Sequence, residues 1–567
     1  MTLSSINKNA HFVGFFYCPN SVKLRIMKYK PVIGLEIHAE LNTKTKMFCD
    51  SLNDPDEKHP NINVCPICMG HPGTLPVINE DAVKKVIMAG LALNCKIAGD
   101  TFFERKNYFY PDLPKGYQIT QYQKPLCQNG ILEIPNPKFQ ILNNNQNPNS
   151  KKKIRITRIH LEEDAGRLYH LPGKDYSLVD FNRAGVPLME LVTEPDLETG
   201  LEVKKFAEEL RLILKYLGVS DVDMEKGQMR VEVNISLSEI ADNTQMNTRM
   251  NADSISENQR KNPRQSALVL GTKVEIKNLN SIKFAADAVD YEIKRQTELL
   301  EAGKKVIQET RGWDDSKKET ISQRSKEEAH DYRYFPEPDL PPLKFTPVQI
   351  EAIRDGLLEL PSQRRVRLAR YGLTEAQVEM FTVARHLGDY YEHVATELDT
   401  SAKDFHIKKG LKGEFYNESH LGKRLHELSA NYIITEFPSL MNASGLEIDD
   451  LEGFKISPEA FAELMVLIFH KELSSTGAKA VLKEMAATGL HPEQIMKEKN
   501  LGQVSDESEL ELAVDKAIVS NGQAVEDYKK GKEASLKFLI GTVMRESGGK
   551  ANPQVVEEII KKKLKQQ

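Results

Sequence analysis

The 567-residue chain has no long hydrophobic run and few cysteines. A membrane-spanning helix needs roughly 20 consecutive apolar residues, and no stretch of this sequence approaches that length. The chain has only six cysteines, three of them close together, which is unlike a disulfide-stabilised secreted protein and favours a reducing compartment. We therefore expect a cytoplasmic protein without a membrane partner.

Three motifs of nucleotide-binding and hydrolytic enzymes are also missing. The sequence contains no G-x-x-x-x-G-K-[ST] phosphate loop, no G-x-S-x-G nucleophile elbow and no convincing glycine-rich dinucleotide fingerprint. Their absence disfavours a P-loop nucleotidase. Any phosphate chemistry must depend on other acidic and basic residues.

The overall composition is that of a water-soluble protein with two to four domains. Hydrophobic residues make up 40% of the chain and charged residues 28%, with a net charge of −5. A mildly acidic total does not exclude nucleic acid, because binding follows local patches. From Tyr528 to Gln567 there are ten Lys and Arg against four Asp and Glu, which indicates a local basic surface or a solvated helical face.

The stretch from Val32 to Leu41 has the alternation of a half-buried strand. Its polar face carries Glu36, His38 and Glu40. Like charges crowded together cost energy unless a cation or a substrate balances them. Alone, the stretch fits either a solvent-facing charged strand or a ligand site.

Three further strand-like stretches carry acids on a polar face. Period-two spacing places Glu163 on the same face as Arg155, and the other two stretches place Glu232 and Glu275 beside Arg or Lys. Carboxylates are suitable ligands for Mg²⁺, and neighbouring cations are suitable for its phosphate partners. We predict a shared metal and phosphate site.

Cys49, Cys65 and Cys68 fit two interpretations. The Cys-x-x-Cys spacing allows two thiolates to share a tetrahedral zinc ion, with Asp50, His59 or His71 as candidate fourth ligands. Alternatively, the cysteines hold no metal.

The segment from Arg105 to Tyr117 combines prolines, aromatic residues and basic residues. This composition excludes a long helix and predicts a loop. Such a loop suits a nucleotide or a sugar-phosphate end, or else it is a packed aromatic loop.

The predicted fold is α+β: a mixed β-sheet domain followed by an all-helical domain and a small helical tail. We place an N-terminal extension over residues 1–28, the sheet domain over 29–343, the helical domain over 344–497 and the tail over 498–567. The extension is either an organellar presequence, which would direct the protein to the organellar matrix, or precedes the true start at Met27. Residues 136–153 and 241–266 are predicted surface insertions.

Several long motifs of the chain resemble those of the GatB/GatE family, the B subunits of tRNA-dependent amidotransferases. They are, in chain order, residues 34–38, 105–112, 160–166, 273–281, 331–340 and 548–553. The resemblance runs from about Pro31 to Leu564. It implies a cradle-shaped catalytic domain, a helical domain and a mobile tail domain.

The resemblance also implies an activity, cofactors and partners. Members of the family use ATP and Mg²⁺ to phosphorylate the side-chain carboxylate of misacylated Glu-tRNA(Gln) or Asp-tRNA(Asn). Ammonia from an amidase (A) subunit then displaces the phosphate, and a small C subunit completes a heterotrimer. The implied Mg²⁺ ligands are Glu36, His38 and Glu163, with Glu232 and Glu275 nearby, and the implied phosphate-binding residues are Lys106, Arg230 and Lys277.

Two positions depart from the family pattern. The family often has Arg-Cys-Asp-x-Asn where this chain has residues 230–234, so that the carboxylate of Glu232 extends one methylene further. Zinc-bearing members have a second cysteine where this chain has Ser51, which weakens the case for zinc. The alternative function is a non-catalytic RNA-binding assembly factor whose strand acids are surface charge.

Overall fold

The computed structural model of the protein describes most of the chain. It covers residues 28–135, 151–239, 271–325, 331–410, 420–446, 451, 453–499, 501, 507–547, 551 and 553–566. The N-terminal extension (apart from residue 28), the insertion over 241–266 and most of the insertion over 136–153 lie outside these residues. Lys151 and Lys153 already belong to a strand, because they pair with Pro135 and Glu133.

The chain forms two compact units that adjoin in sequence at Leu360 and Pro361. The first contains a nine-stranded mixed sheet, in which one neighbouring pair is parallel and the others are antiparallel. In spatial order its strands are β14 (Glu319–Ser325), β13 (Glu309–Asp314), β12 (Val274–Leu279), β11 (Met229–Glu239), β1 (Tyr29–Glu40), β10 (Pro187–Thr193), β7 (Lys151–Glu163), β6 (Cys127–Pro135) and β2 (Lys96–Ile97).

Among the described residues, short strands and four helices complete the first unit. The strands are β3 (Asp100–Thr101), β4 (Glu104–Asn107), β5 (Tyr117–Thr120), β8 (Arg167–His170), β9 (Ser177–Asp180), β15 (Phe335–Pro336) and β16 (Leu343–Lys344). The helices are α1 (Glu80–Ala92), α2 (Gly200–Tyr216), α3 (Ile282–Glu301) and α4 (Pro347–Asp355). Ile350 and Ile353 of α4 pack against the same core as the sheet, so this unit continues past the last strand.

One face of the large sheet lies on the hydrophobic core. The core-facing residues of β1 are at most 1% exposed, as the alternation predicted; they are Ile33, Leu35, Ile37 and Ala39. Val231 of β11 and Ile276 of β12 are buried in the same core. Because side chains alternate along a strand, the residues between them point to the opposite face. This opposite face carries three acids of the sequence pattern, Glu36, Glu232 and Glu275.

The second unit is helical in the described residues. Its helices are α5 (Pro361–Ala369), α6 (Glu375–Val383), α7 (Arg385–Lys409), α8 (His420–Ala443), α9 (Pro458–Phe469), α10 (Ser475–Thr488), α11 (Pro492–Glu498), α12 (Glu507–Ser520), α13 (Gly522–Lys529), α14 (Glu533–Glu546) and α15 (Pro553–Gln566). Two hydrophobic clusters fill it, one between Leu368 and Ile495 and one between Leu510 and Leu564. The predicted α+β class, with a mixed sheet followed by helices, is confirmed. No described helix has the length and apolarity that crossing a bilayer requires.

Candidate metal and phosphate site

Strand pairing places polar side chains from four strands in one row on the open face of the sheet. His38 lies opposite Glu190 on one side and Arg230 on the other. Glu190 in turn lies opposite His160. Directly paired residues of antiparallel strands point to the same face, with Cβ atoms about 5 Å apart. The row therefore runs across the sheet from His160 through Glu190 and His38 to Arg230.

His38 is surrounded by carboxylates. Its Nε2 atom lies 3.3 Å from Glu190 Oε2, 3.6 Å from Glu162 Oε1 and 3.9 Å from Glu36 Oε1. The ligand atoms of Glu36, His38 and Glu190 all lie within 4.8 Å of one another. Carboxylate oxygens with one imidazole nitrogen are a donor set for Mg²⁺ or Mn²⁺, so the residues present fit the implied metal.

The electrostatics of this group favour a bound cation. Burial lowers the pKa of His38, but a hydrogen bond to Glu190 and the charges of Glu190 and Glu162 raise it overall, to about 9. Burial and the charge of Glu190 raise the pKa of Glu36. The carboxylates thus hold a proton on His38 when no other cation is near. A divalent cation would replace that proton, because the metal binds the neutral imidazole.

The predicted phosphate-binding residues border the site, each with an acidic partner or neighbour. Arg230 Nη2 lies 2.6 Å from Asp164 Oδ2. Lys277 Nζ lies 2.8 Å from Glu232 Oε2 and 3.5 Å from Glu275 Oε1. Glu232 and Glu275 therefore lie on the predicted face, but they are paired with Lys277 and do not belong to the His38 group.

Lys106 lies between the acids and a group of tyrosines. Its Nζ atom is 5.1 Å from the ring centre of Tyr332 and 5.7 Å from that of Tyr108. Burial lowers the pKa of Lys106, but the charges of Glu162 and Glu190, among others, raise it overall. Lys106 is thus a cation at the edge of the predicted site.

Two aromatic side chains of the loop that follows Lys106 are exposed to solvent. The exposed fraction of Phe109 is 92% and that of Tyr110 is 61%. Tyr108 of the same segment packs edge-on against Tyr332, so both interpretations of this segment stay open. An exposed aromatic pair is available to stack on a base or a sugar.

The structure does not bring Glu163 into the His38 group. The pairing of β7 with β10 shifts between Arg158 and Ile156, so Thr157 is an extra residue that reverses the alternation. The side chain of Glu163 consequently points to the same face of the sheet as the core residue Leu161, and not to the face of Arg155. The face that the sequence pattern predicted for Glu163 is therefore wrong. Its carboxylate binds Lys115 instead.

Three residues close to His38 were not proposed as ligands from the sequence: His160, Glu162 and Glu190. All three are buried, with exposed fractions of 2%, 3% and 6%. Of the three, Glu190 could have been identified as a candidate from the sequence, because it is the only acid in the apolar stretch of β10. A buried strand that contains a single carboxylate is a signal of function or of an ion pair.

The structure brings the three predicted cysteines together. The Sγ atoms of Cys49, Cys65 and Cys68 lie within 4.8 Å of one another, and no fourth described histidine, cysteine or carboxylate belongs to the group. Ser51 Oγ lies 3.9 Å from Cys68 Sγ. The hydrogen bond from Cys49 and the nearby charge of Lys46 lower the pKa of Cys68 to about 4, although burial opposes this. The geometry fits a three-thiolate metal site and equally a cluster of thiols stabilised by Lys46.

Comparison with known proteins connects this architecture to a family. The model of the GatB/GatE catalytic domain matches residues 31–351, and that of the GatB domain matches residues 415–564. The first match contains the whole of the metal and phosphate site. It classifies the sheet domain as a GatB/GatE catalytic domain. The second match classifies the C-terminal helical part as a GatB domain.

Close relatives match nearly the whole chain. Three of them are named as the B subunit of aspartyl/glutamyl-tRNA(Asn/Gln) amidotransferase. The protein of Caldicellulosiruptor saccharolyticus is 44% identical over 539 residues, that of Dehalococcoides mccartyi strain CBDB1 43% over 543 and that of Carboxydothermus hydrogenoformans 44% over 541. Each alignment covers 95% of this chain and 99% of the relative. The chain belongs to the GatB/GatE family, as the sequence motifs indicated.

Proposed function

We propose that the chain is the B subunit of a tRNA-dependent amidotransferase that converts Glu-tRNA(Gln), Asp-tRNA(Asn) or both into the amidated form. The observation that carries this proposal is the His38 group, a partly buried set of carboxylates and an imidazole in the part of the chain that matches a catalytic domain. The relatives' name supplies the substrate class.

The chemistry requires an activated carboxylate. A carboxylate oxygen of the aminoacyl side chain attacks the γ-phosphorus of ATP, and ADP leaves. Ammonia then attacks the carbonyl carbon of the acyl phosphate, and phosphate leaves with that oxygen. Because catalysis of phosphoryl transfer is mostly positioning and charge stabilisation, the protein needs no nucleophile of its own.

The residues have separate roles in this scheme. Glu36, His38, Glu162 and Glu190 would hold Mg²⁺, which supplies charge stabilisation for the transferred phosphoryl group. Lys106, Arg230 and Lys277 would orient the phosphates of ATP, since they form the cationic border of the same face. Glu232 and Glu275 fix Lys277 through the ion pairs described above.

The proposal includes partners. Ammonia must come from an amidase subunit, and the relatives' designation as a B subunit supports assembly with an A and a C subunit. The basic excess after Tyr528 supports a role of the tail in tRNA binding.

The alternative, a non-catalytic RNA-binding assembly factor, is disfavoured by burial. Surface charges of such a factor would be solvated, whereas Glu162 and Glu190 are at most 6% exposed. Burying a carboxylate costs several kcal/mol even after the protein relaxes. Arg158 and a protonated His38 offset part of this cost, and a bound cation would offset more of it.

The proposal is tested by measuring how much ADP the reconstituted trimer forms in the presence of misacylated tRNA. We expect His38→Ala and Glu190→Gln to lose ADP formation and amidation while the trimer still assembles. Glu133→Gln, which changes an exposed carboxylate of the same sheet, is the matched control and retains full turnover. Full turnover in His38→Ala would contradict the proposal. Parallel assays with Glu-tRNA(Gln) and Asp-tRNA(Asn) identify the substrate.

A further inference from the structure

Beside the His38 group lies a second set of ligand atoms, and it includes a histidine, His160, to which the proposed function gives no role. It consists of His160, Glu162 and Glu190, whose ligand atoms also lie within 4.8 Å of one another. Glu190 belongs to both sets. The polar row therefore offers two adjacent ligand groups and not a single one.

The carboxylate of Glu162 is positioned between two imidazoles. Its Oε1 atom lies 3.6 Å from His38 Nε2, and its Oε2 atom lies 3.7 Å from His160 Nε2. Each oxygen of one carboxylate thus faces a different histidine. A carboxylate that bridges two metal ions presents its oxygens in this way.

Glu190 occupies a similar position. Its Oε2 atom lies 3.3 Å from His38 Nε2 and 3.7 Å from His160 Nε2. Arg158 Nη2 donates a hydrogen bond to Glu190 Oε1 at 3.2 Å. Arg158 therefore orients this carboxylate with its second oxygen between the two histidines.

Hydrogen bonding accounts poorly for the position of His160. The 3.7 Å separations are too long for hydrogen bonds, and within the described residues its Nδ1 atom has no partner. The ring is nonetheless buried, with Nε2 facing the two carboxylates. A cation between Nε2 and the carboxylates would satisfy all three groups.

We propose that this face of the sheet binds two divalent cations, with Glu162 and Glu190 shared between them. Glu36 and His38 complete one site, and His160 completes the other. The inference rests on the proposed function for the identity of the first cation. Two-metal sites have ions about 3.5–4 Å apart and stabilise the attacking and the leaving oxygen of a displacement together. Transfer of a phosphoryl group to a carboxylate is such a displacement.

The test is Mn²⁺ binding to the full chain, followed by electron paramagnetic resonance. Imidazole and carboxylate ligands suit Mn²⁺, whereas thiolates select softer metals, so the cysteines do not interfere. We expect two bound Mn²⁺ per chain, with a spectrum broadened by coupling between neighbouring ions. His160→Gln should reduce the number from two to one and restore the six-line spectrum of an isolated ion.

A second variant tests the other half of the site. Glu36→Gln should weaken the binding of one Mn²⁺ ion and leave the binding of the ion at His160 unchanged. The control variant Glu133→Gln should still bind both ions. Circular dichroism confirms that each variant is folded. One Mn²⁺ per wild-type chain, lost in His38→Ala, would overturn the second site and leave the proposed function standing. No bound Mn²⁺ in the wild type would contradict both, and two Mn²⁺ in His160→Gln would remove His160 from the site.

Discussion

Lys115 Nζ lies 2.5 and 2.6 Å from the two carboxylate oxygens of Glu163. The backbone N–H of Ile119 donates to the same carboxylate at 2.9 Å. Both members of this ion pair are largely buried, with exposed side-chain fractions of 9% and 4%. Two consecutive acids of β7 therefore have different surroundings: Glu162 faces the histidines, and Glu163 fixes the loop that carries Lys115.

The first prediction separates these two acids. Breaking a buried ion pair leaves an uncompensated charge, so Glu163→Gln should lower the free energy of unfolding by about 3 kcal/mol. Glu162→Gln should instead weaken Mn²⁺ binding by roughly tenfold or more. Denaturant unfolding and Mn²⁺ titration of both variants provide the comparison.

The Lys115 partner supplies the control. In the double variant Lys115→Met with Glu163→Gln, no buried charge is left unpaired, so its destabilisation should be smaller than the sum of the two single changes. Additive effects would contradict the ion pair, and a large loss of Mn²⁺ affinity in Glu163→Gln would return this residue to the metal site.

The alternation of the strands was predictable from the sequence, but the pairing of β7 was not. Residues of β1 and β11 fall on the predicted faces because these strands keep a period of two there. In β12 the period holds only as far as Lys277, and the pairing with β11 shifts between Ile276 and Leu279. In β7, the extra residue at Thr157 shifts the pairing, and local sequence carries no signal for such a bulge. Glu163 was therefore selected in place of Glu162.

The position of Glu190 and His160 beside His38 could not be predicted, for a different reason. Their proximity to His38 depends on the order of the strands, in which β10 lies between β1 and β7 although many residues separate them in the chain. Pairing between distant strands is a tertiary property. The family resemblance, carried by long motifs, was secure from the sequence alone.

The second prediction concerns pH and the helical unit. Burial lowers the pKa of His426 from 6.5 to about 4, and Tyr391 Oη lies 3.0 Å from its Nδ1. The unfolded chain then binds a proton between pH 6.5 and 4 that the folded chain does not, so the stability from this group is present above pH 6.5 and is lost as the pH falls towards 4. The full effect is on the order of 3 kcal/mol.

Denaturant unfolding of the full chain at pH 7 and pH 5 measures this dependence. His426→Gln should show a shallower loss of stability between the two pH values than the wild type. His393→Gln, which alters an exposed histidine, should follow the wild type. Identical pH dependence in His426→Gln and the wild type would show that His426 keeps an ordinary pKa.

The third prediction addresses the cysteine group. Ser51 Oγ is close to Cys68 Sγ, so Ser51→Cys should complete a four-thiolate set and raise the affinity for Zn²⁺ by an order of magnitude or more. Competition with a chromophoric chelator measures this affinity. The matched change Ser51→Ala should leave the affinity of the three-thiolate group unchanged. Equal affinities in Ser51→Cys and the wild type would place residue 51 outside the ligand geometry.

The fourth prediction concerns tRNA binding by the tail. Lys529, Lys530 and Lys537 are exposed, so their replacement by glutamine should weaken tRNA binding and reduce the salt dependence by roughly one log-log unit per lost phosphate contact. Replacing the exposed Lys471, Lys483 and Lys497 of the helical region is the control. Filter binding over a range of salt concentrations measures both. Unchanged slopes after the tail substitutions would assign these lysines to a solvated helical face.

Activation of the carboxylate by phosphorylation is tested most directly by following one of its oxygen atoms. The trimer is supplied with ATP, an ammonia source and tRNA whose esterified glutamate or aspartate carries ¹⁸O in its side-chain carboxylate, and the inorganic phosphate formed is analysed by mass spectrometry. Activation by phosphorylation predicts one ¹⁸O in each phosphate released with amide formation, in the wild type and in Glu133→Gln, with no such phosphate from His38→Ala. Amide formation accompanied by phosphate without ¹⁸O would contradict it.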